Sequence, residues 1–228
     1  MGATTQKTPP PVALQDFESF RKARMQLPEK HESLCPVVAG DITLFEYDQN
    51  EFPGQKPLYK YRLVQALQFD LDGDGIEENY TLRDGRLTVA SDCCIIWQTP
   101  RYWWVDYVFP GDANNDGNLE LNLLVWKEGS FGPQKPFWVE EDDTSVKNHF
   151  FIFKLEEGNF KAVWQSSNLD RPNYRAALVD LNGDGANELV ALEGCYTDPG
   201  KQKITVWKWN GWGFSREDEG GKRQGTVR

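Results

Sequence analysis

The sequence predicts an all-β protein made of small antiparallel sheets, with one short helix near its N-terminus. Three observations support this fold class: an acidic loop occurs three times, the segments that flank it also repeat, and runs of aromatic and β-branched residues alternate with Gly, Pro, Asn and Asp. At 228 residues the chain is long enough for one domain with a buried core. We therefore expect a repeat architecture.

Residues 1–34 are predicted to form a flexible tail followed by a short helix. Segment 4–11 is rich in proline and polar side chains, which disfavours a packed core. Segment 15–26 has the only convincing helical pattern in the chain. At the other end, residues 217–228 are predicted to be a disordered tail.

Residues 35–216 are predicted to form the repeat domain. In each unit one strand runs into the acidic loop, a second leaves it, and a variable connection leads to a hairpin of two further strands. The predicted strands are 121–126, 150–155, 160–164, 174–179 and 189–192, with a last hairpin at 207–214. Strands at 42–47 and 59–63 are expected to supply the hairpin of an incomplete first unit, which circular closure could complete.

The repeated loop reads DLDGDGIEE at 70–78, DANNDGNLE at 112–120 and DLNGDGANE at 180–188. The copies start 42 and then 68 residues apart, which indicates a common unit that carries an insertion. A glycine at position 6 of each copy permits a sharp turn that points alternate side chains inward. These glycines are Gly75, Gly117 and Gly185.

The loop differs from an EF-hand at the position that closes the calcium shell. An EF-hand needs a bidentate glutamate at position 12, whereas the residues there are Thr81, Leu123 and Ala191. A dockerin loop fails the same test. Position 9 carries a carboxylate in every copy instead, and a strand rather than a helix is predicted before each loop.

The alternating spacing predicts one cation site in each loop. The expected ligands are Asp70, Asp72, Asp74, the Ile76 carbonyl and Glu78; Asp112, Asn114, Asp116, the Asn118 carbonyl and Glu120; and Asp180, Asn182, Asp184, the Ala186 carbonyl and Glu188. All are hard oxygen donors, which favours calcium, with up to three ions in the chain. Acidic turns also form without a metal, but three copies with the same position 9 weaken that alternative.

With these loops and the trailing hairpin 207–214, the chain resembles the FG-GAP or VCBS-type repeats, which are related to the integrin α-subunit β-propeller. Their loop has the pattern DxDxDGxx(D/E), and the resemblance covers residues 42–215. It implies a β-propeller-like array of three to four small antiparallel blades with calcium in the loops. Integrin-like propellers have seven blades, so a small closed ring, an open array and assembly into a larger ring all remain alternatives.

Net charge and hydropathy disfavour several classes of partner and location. The net charge of -10 disfavours nucleic acid and anionic lipid. The sequence has no apolar run long enough for a transmembrane helix and no signal peptide pattern. Because such loops suit millimolar calcium and because of the family resemblance, we expect an extracellular or periplasmic protein, with its calcium in a structural role.

No catalytic constellation is evident, so the favoured function is a module for protein interaction, adhesion or surface assembly, with a possible homo-oligomer. The insertion 127–148 combines Gly and Pro with aromatic residues, so Phe131, Phe137 and Trp138 are the predicted partner-binding residues. The alternative is a carbohydrate-binding module or a polysaccharide-directed enzyme that uses exposed aromatics. Its candidates are Tyr102, Trp103, Trp104, Trp138 and Trp212, whereas Trp97, Trp126, Trp164 and Trp207 are assigned to the core.

The four cysteines, Cys35, Cys93, Cys94 and Cys195, match no metal or redox spacing. Two interpretations are open: small buried side chains, or disulfides that include a Cys35–Cys195 bridge between the two ends of the domain. Cys93 and Cys94 are expected to point to opposite faces of one strand, so that at most one would join such a bridge.

Overall fold

Strands dominate the structure, a computed structural model that describes residues 16–32, 61–131, 137, 139–141, 143–198 and 201–217. The elements in chain order are α1 (Phe17–Met25), β1 (Glu29–Glu32), β2 (Arg62–Phe69), β3 (Glu78–Arg83), β4 (Arg86–Ser91), β5 (Cys94–Gln98), β6 (Trp104–Gly111), β7 (Glu120–Glu128), β8 (Val146–Glu156), β9 (Asn159–Gln165), β10 (Asn173–Val179), β11 (Glu188–Glu193), β12 (Lys203–Trp209) and β13 (Phe214–Arg216). The predicted all-β class and the N-terminal helix are thus confirmed.

The strands form three sheets in sequence order: sheet 1 (β1-β2-β3-β4-β5), sheet 2 (β6-β7-β8-β9) and sheet 3 (β10-β11-β12-β13). Each contains four consecutive antiparallel strands, which in sheet 1 are β2 to β5, and the first two of these four strands are joined by an acidic loop. The antiparallel order places this loop at one end of the sheet and the connection between second and third strands at the other end.

Sheet 2 lies in the middle of the packing. One apolar core joins sheets 1 and 2 and includes Leu82, Val89, Val108, Leu123 and Phe151. A second core joins sheets 2 and 3 and also receives one side chain of sheet 1; its members include Leu63, Tyr107, Phe150, Ala176 and Leu189. With both faces covered, β7 and most of β8 are buried along their length, while β3 alternates between buried and exposed residues.

Helix α1 begins after Asp16, whose side chain accepts a hydrogen bond from the Ser19 backbone N–H at 2.9 Å and so caps the first turn. Phe17 and Phe20 are buried and pack with Trp104 and Trp126 of sheet 2 in a third core. The helix therefore lies against sheet 2. Within the described residues, no helix combines the length and the apolar character needed to cross a membrane.

The predicted strands 121–126, 150–155, 160–164, 174–179 and 189–192 all lie inside observed strands. The hairpin at 207–214 is also present, formed by β12 and β13. The first unit differs: β2 runs from Arg62 directly into the first acidic loop, so residues 62–63 belong to the strand before that loop and not to a separate hairpin. Segment 42–47 lies outside the described residues. Strand β1, which pairs in parallel with β2, was not expected.

Candidate metal centre

In each loop, the last predicted ligand belongs to the final residue pair of the two adjoining strands, and the first predicted ligand comes directly after that pair. Glu78 pairs with Phe69, Glu120 with Gly111 and Glu188 with Val179, and the first aspartate of each loop follows that strand directly. Each loop is therefore closed at its base by strand pairing, which holds its first and ninth residues together.

The three loops share one pattern of hydrogen bonds. The aspartate at position 1 accepts from the N–H of the glycine at position 6, at 2.8 Å in the first two loops and 2.9 Å in the third. The residue at position 3 accepts from the N–H of position 5, and the aspartate at position 5 accepts from the N–H of position 7. The recurrence of this pattern indicates one loop conformation in all three copies.

The glycine at position 6 has a backbone conformation that other residues rarely adopt. The φ angles are 90° at Gly75, 87° at Gly117 and 86° at Gly185. A Cβ atom at these positions would meet no neighbouring atom within 4 Å, so the requirement comes from the backbone rather than from crowding. The sequence-based assignment of a sharp turn at this position is confirmed.

The glutamate at position 9 is the buried residue among the predicted ligands of each loop. Glu78 is 2% exposed, and Glu120 and Glu188 are each 1% exposed. Each accepts a hydrogen bond from the N–H of position 2, at 3.0, 2.7 and 3.0 Å respectively. Burial raises the pKa of Glu78, and it raises the pKa of Glu120 to about 7, because the charged form loses solvation.

Carboxylate oxygens converge in the first two loops. One oxygen from each of Asp70, Asp72 and Asp74 lies within 4.8 Å of the others, and the same holds for Asp112, Asp116 and Glu120. The donors are hard oxygen atoms, the type that calcium prefers. These two loops therefore fit a calcium ion by the chemistry and the proximity of their side chains.

The third loop contains a lysine ammonium group. Lys208 Nζ lies 3.3 Å from Asp184 Oδ2 and 3.8 Å from Glu188 Oε1, two of the expected ligands. The hydrogen bond with Asp184 raises the pKa of Lys208. A positive charge of this chain therefore lies next to the carboxylates that a metal would need, so the third loop fits a metal less well than the other two.

The residues equivalent to Lys208 behave differently in the other sheets. Lys208 pairs with Glu188 across β11 and β12, and the matching register places Lys154 opposite Glu120 and Ser91 opposite Glu78. Lys154 forms its ion pair with Glu156 instead, and this pair together with Lys161 lowers the pKa of Glu156 to about 2. Of the two lysines at this register position, only Lys208 of sheet 3 forms an ion pair with loop carboxylates in the described residues.

Two asparagines that the sequence analysis did not select link the second and third loops. Asn115 Oδ1 accepts from the Asn187 N–H at 2.7 Å, and Asn115 Nδ2 donates to the Asn187 carbonyl at 3.2 Å. Asn187 Nδ2 also donates to the carbonyl of Asp112 at 3.0 Å. The sequence feature that could have indicated Asn115 is at position 4 of the loop, where the second copy has asparagine and the other two have glycine.

The predicted partner-binding residues are only partly described. Phe131 is half-buried, Phe137 is 94% exposed, and Trp138 lies outside the described residues. The predicted insertion 127–148 is shorter than expected, because β7 extends to Glu128 and β8 begins at Val146. The connection between these strands is therefore 129–145.

The aromatic candidates for carbohydrate binding separate into two groups. Trp104 is 2% exposed and packs against α1, so its assignment as an exposed residue is wrong. Trp103 packs on the core between sheets 1 and 2. Tyr102 and Trp212 are 63% and 79% exposed. Their aromatic surfaces are available to a ligand.

The histidines and cysteines form no shared centre in the described residues. His149 is fully buried, with Nδ1 3.1 Å from the Ser166 carbonyl oxygen, whereas His31 is exposed. Cys195 is a free thiol here, and Cys35 of the suggested bridge lies outside the described residues. Cys93 and Cys94 are exposed rather than buried, and their Sγ atoms lie 3.8 Å apart, so the expectation of opposite faces is wrong.

Comparison with known proteins finds no family model that matches the chain and no curated protein sequence that matches it. The resemblance to FG-GAP and VCBS-type repeats therefore depends on the three loops and the strands that flank them.

Proposed function

We propose that this chain is a calcium-binding module in which the four antiparallel strands of each of the three sheets act as one blade of a β-propeller-like array. The proposal is carried by the buried glutamate at position 9, which closes three loops that share one pattern of hydrogen bonds. A buried carboxylate beside other carboxylates is unfavourable without a compensating positive charge. Bound calcium would supply that charge and fix the connection between two strands.

The role proposed for calcium is structural, because its ligands lie in turns between adjacent strands. The first and second loops are the proposed sites of higher affinity, since Lys208 competes with a metal in the third. Loops with these donors in extracellular modules commonly bind calcium with Kd values of about 10⁻⁴ to 10⁻³ M. Such values suit an extracellular or periplasmic location.

The proposed activity is recognition of a protein or glycan partner at a cell surface. Exposed aromatic side chains on a rigid β-scaffold favour this activity, and Phe137 belongs to the longest connection between consecutive antiparallel strands of one sheet. Assembly with further copies of the chain is a second form of the same activity. Sedimentation at several protein concentrations, with calcium present, would separate assembly from binding by a monomer.

Calcium titration with thermal unfolding tests the central claim. We expect chelation with EDTA to lower the Tm, and calcium at 100 times its Kd to add about 2.7 kcal/mol to the free energy of unfolding for each site. An equal Tm in calcium and in EDTA, with no calcium retained at millimolar concentration, would refute the proposal.

A matched pair of variants assigns the effect to the second loop. Glu120→Gln removes the charge of a buried predicted ligand, so we expect the calcium affinity of that loop to fall at least about tenfold. Glu141→Gln removes an exposed carboxylate from the connection 129–145, at the other end of the same sheet, and it should leave the affinity unchanged. Isothermal titration calorimetry of both variants measures the difference.

Carbohydrate binding is the second candidate, favoured by the exposure of Tyr102 and Trp212. Aromatic faces of this kind stack on sugar rings through apolar contact. Glycan-array binding that is lost in Trp212→Ala or Tyr102→Ala and retained in EDTA would support this function. Binding that is unaffected by both substitutions would exclude these two residues as the glycan site.

A further inference from the structure

Two exposed thiols meet at the turn between β4 and β5. Ser91 and Cys94 are the last residue pair of this hairpin, so Asp92 and Cys93 form a two-residue turn, with Asp92 at a φ of 52°. This turn brings the two sulfur atoms to 3.8 Å. Both side chains are exposed, so small reagents have access to them.

The geometry places the two thiols close to bonding distance. A disulfide has an S–S distance of about 2.0 Å, so closure needs an approach of about 1.8 Å, which rotation about the side-chain bonds can supply. Neighbouring residues have Cα atoms about 3.8 Å apart, below the usual range of about 4.4 to 6.8 Å for disulfides. A bond between them would be strained and thus easily reduced, as in labile rather than structural disulfides.

We propose that Cys93 and Cys94 form a reversible redox site that closes as a vicinal disulfide by exchange with small disulfides such as oxidised glutathione. The thiolate of one cysteine attacks a sulfur of glutathione disulfide, and one glutathione leaves as a thiolate that takes up a proton. The second cysteine, as its thiolate, then attacks the protein sulfur of the mixed disulfide and releases the second glutathione. The two protein thiols are oxidised and one glutathione disulfide is reduced to two thiols.

The position of the pair limits what closure would disturb. Strand β5 is an edge strand of sheet 1, and the turn lies at the same end of that sheet as the first acidic loop. Neither cysteine belongs to the apolar cores of the described residues. Closure is therefore compatible with the folded sheet, and the inference does not depend on calcium binding.

The test uses the full chain with Cys35→Ser and Cys195→Ser, which leaves only the two neighbouring thiols. After equilibration with oxidised glutathione, the protein is treated with an alkylating reagent and its intact mass is measured. We expect a product that has lost two hydrogen atoms, retains no glutathione and is not alkylated. Excess reduced glutathione should restore two alkylatable thiols.

Adding Cys94→Ser to the same background provides the matched control. It removes the resolving thiol, so we expect the remaining Cys93 to retain one glutathione as a stable mixed disulfide. The proposal is overturned if the protein with both cysteines also retains glutathione, if its thiols remain alkylatable, or if it forms disulfide-linked dimers instead. Circular dichroism of the oxidised protein checks that the sheet remains folded.

Discussion

At the scale of single residues, the contacts of one lysine side chain distinguish the third loop from the other two. Lys208 and Lys154 occupy equivalent register positions, yet Lys208 contacts Asp184 and Lys154 contacts Glu156. An ammonium group tethered to the neighbouring strand neutralises loop carboxylates and occupies space next to them. It would thus compete with the proposed calcium ion for the same oxygen atoms.

Removal of this lysine is predicted to strengthen calcium binding in the third loop. In Lys208→Gln the carboxylates of Asp184 and Glu188 lose a neighbouring positive charge, so the binding of a metal cation beside them becomes more favourable. We expect one additional calcium ion per chain, measured by calorimetry at millimolar calcium. Lys154→Gln is the control and should leave the stoichiometry unchanged. Three ions already bound by the unsubstituted chain would contradict the proposed role of Lys208.

Buried His149 makes stability depend on pH. Burial first, and then the positive charge of Lys127, lower the pKa of His149 to about 4, whereas an unfolded histidine has a pKa of about 6.5. The unfolded chain therefore binds the proton first, and stability from this residue is complete above pH 6.5 and is lost as the pH falls towards 4. We expect the contribution of His149 to fall by about 2 to 3 kcal/mol between pH 7 and pH 4.5. Glu120 acts in the opposite direction when no metal is bound, because its raised pKa makes its protonation favour the folded chain.

Urea unfolding at pH 7 and pH 4.5 measures this loss. Compared with the parent chain, His149→Gln cannot take up the proton and should lose about 2 to 3 kcal/mol less between pH 7 and pH 4.5. His31→Gln changes an exposed histidine and should preserve the full difference. If both variants showed the same pH dependence as the parent chain, His149 would not be the responsible group.

At the scale of elements, helix α1 is attached to sheet 2 by aromatic contacts and one ion pair. The Phe20 ring lies 5.2 Å from the ring of Trp126 and 6.2 Å from that of Trp104, between ring centroids. Arg24 Nη2 lies 3.0 Å from Asp106 Oδ2, and this carboxylate also accepts hydrogen bonds from both indole N–H groups. The helix therefore contributes to the fold through its inner face.

Truncation of Phe20 is predicted to destabilise the protein strongly. Phe20→Ala removes a ring that is 2% exposed, and we expect a loss of about 3 to 5 kcal/mol in the free energy of unfolding. Met25→Ala, at a helix position that is 39% exposed, should change it by less than about 0.5 kcal/mol. Equal, small effects in urea unfolding would mean that the helix does not pack on sheet 2 in solution.

The strands from β7 onward could be predicted from the sequence because apolar residues mark them directly. Strand β1 could not, since its sequence EKHE has no apolar pattern. Its position follows from ion pairs with residues distant in the chain: Glu29 with Arg62 at 3.0 Å, and Glu32 with Arg175 at 2.7 Å. Such pairs are visible only after the sheets have been assembled.

In the candidate site too, some features could be predicted from the local sequence and others could not. Carboxylates at alternating positions could be read from the repeated loops, because ligand and turn residues are close in sequence. The contact of Lys208 with the third loop depends on strand register, and the Asn115–Asn187 contact depends on the approach of two sheets. The exposure of Cys93 and Cys94 depends on which residue ends β4. These features are tertiary, so a local pattern could not predict them.

At the scale of the whole molecule, shared cores join the three sheets. Leu63 of sheet 1, Tyr107 of sheet 2 and Ala176 of sheet 3 belong to one apolar cluster. The loss of one sheet would therefore expose the apolar surface of its neighbours. This arrangement favours cooperative unfolding, although each sheet is local in sequence.

We predict a single unfolding transition in the presence of calcium. Thermal scans followed by tryptophan fluorescence and by far-UV circular dichroism should have the same midpoint, because tryptophans in sheets 1, 2 and 3 report on sheets that unfold together. The Trp212→Ala variant removes an exposed tryptophan and should leave the coincidence intact. Two separate transitions would show that one sheet unfolds independently.

The alternation of strand direction has a consequence for how this scaffold can vary. In each sheet, the acidic loop lies at one end, and the connection between the second and third of the four antiparallel strands lies at the other: 84–85, 129–145 and 194–202. Changes in the length of these connections leave the ligand spacing of the loops untouched. A new recognition sequence can therefore be grafted at 129–145 without altering the acidic loops, so that evolution and protein engineering could change the proposed specificity and the proposed calcium dependence independently.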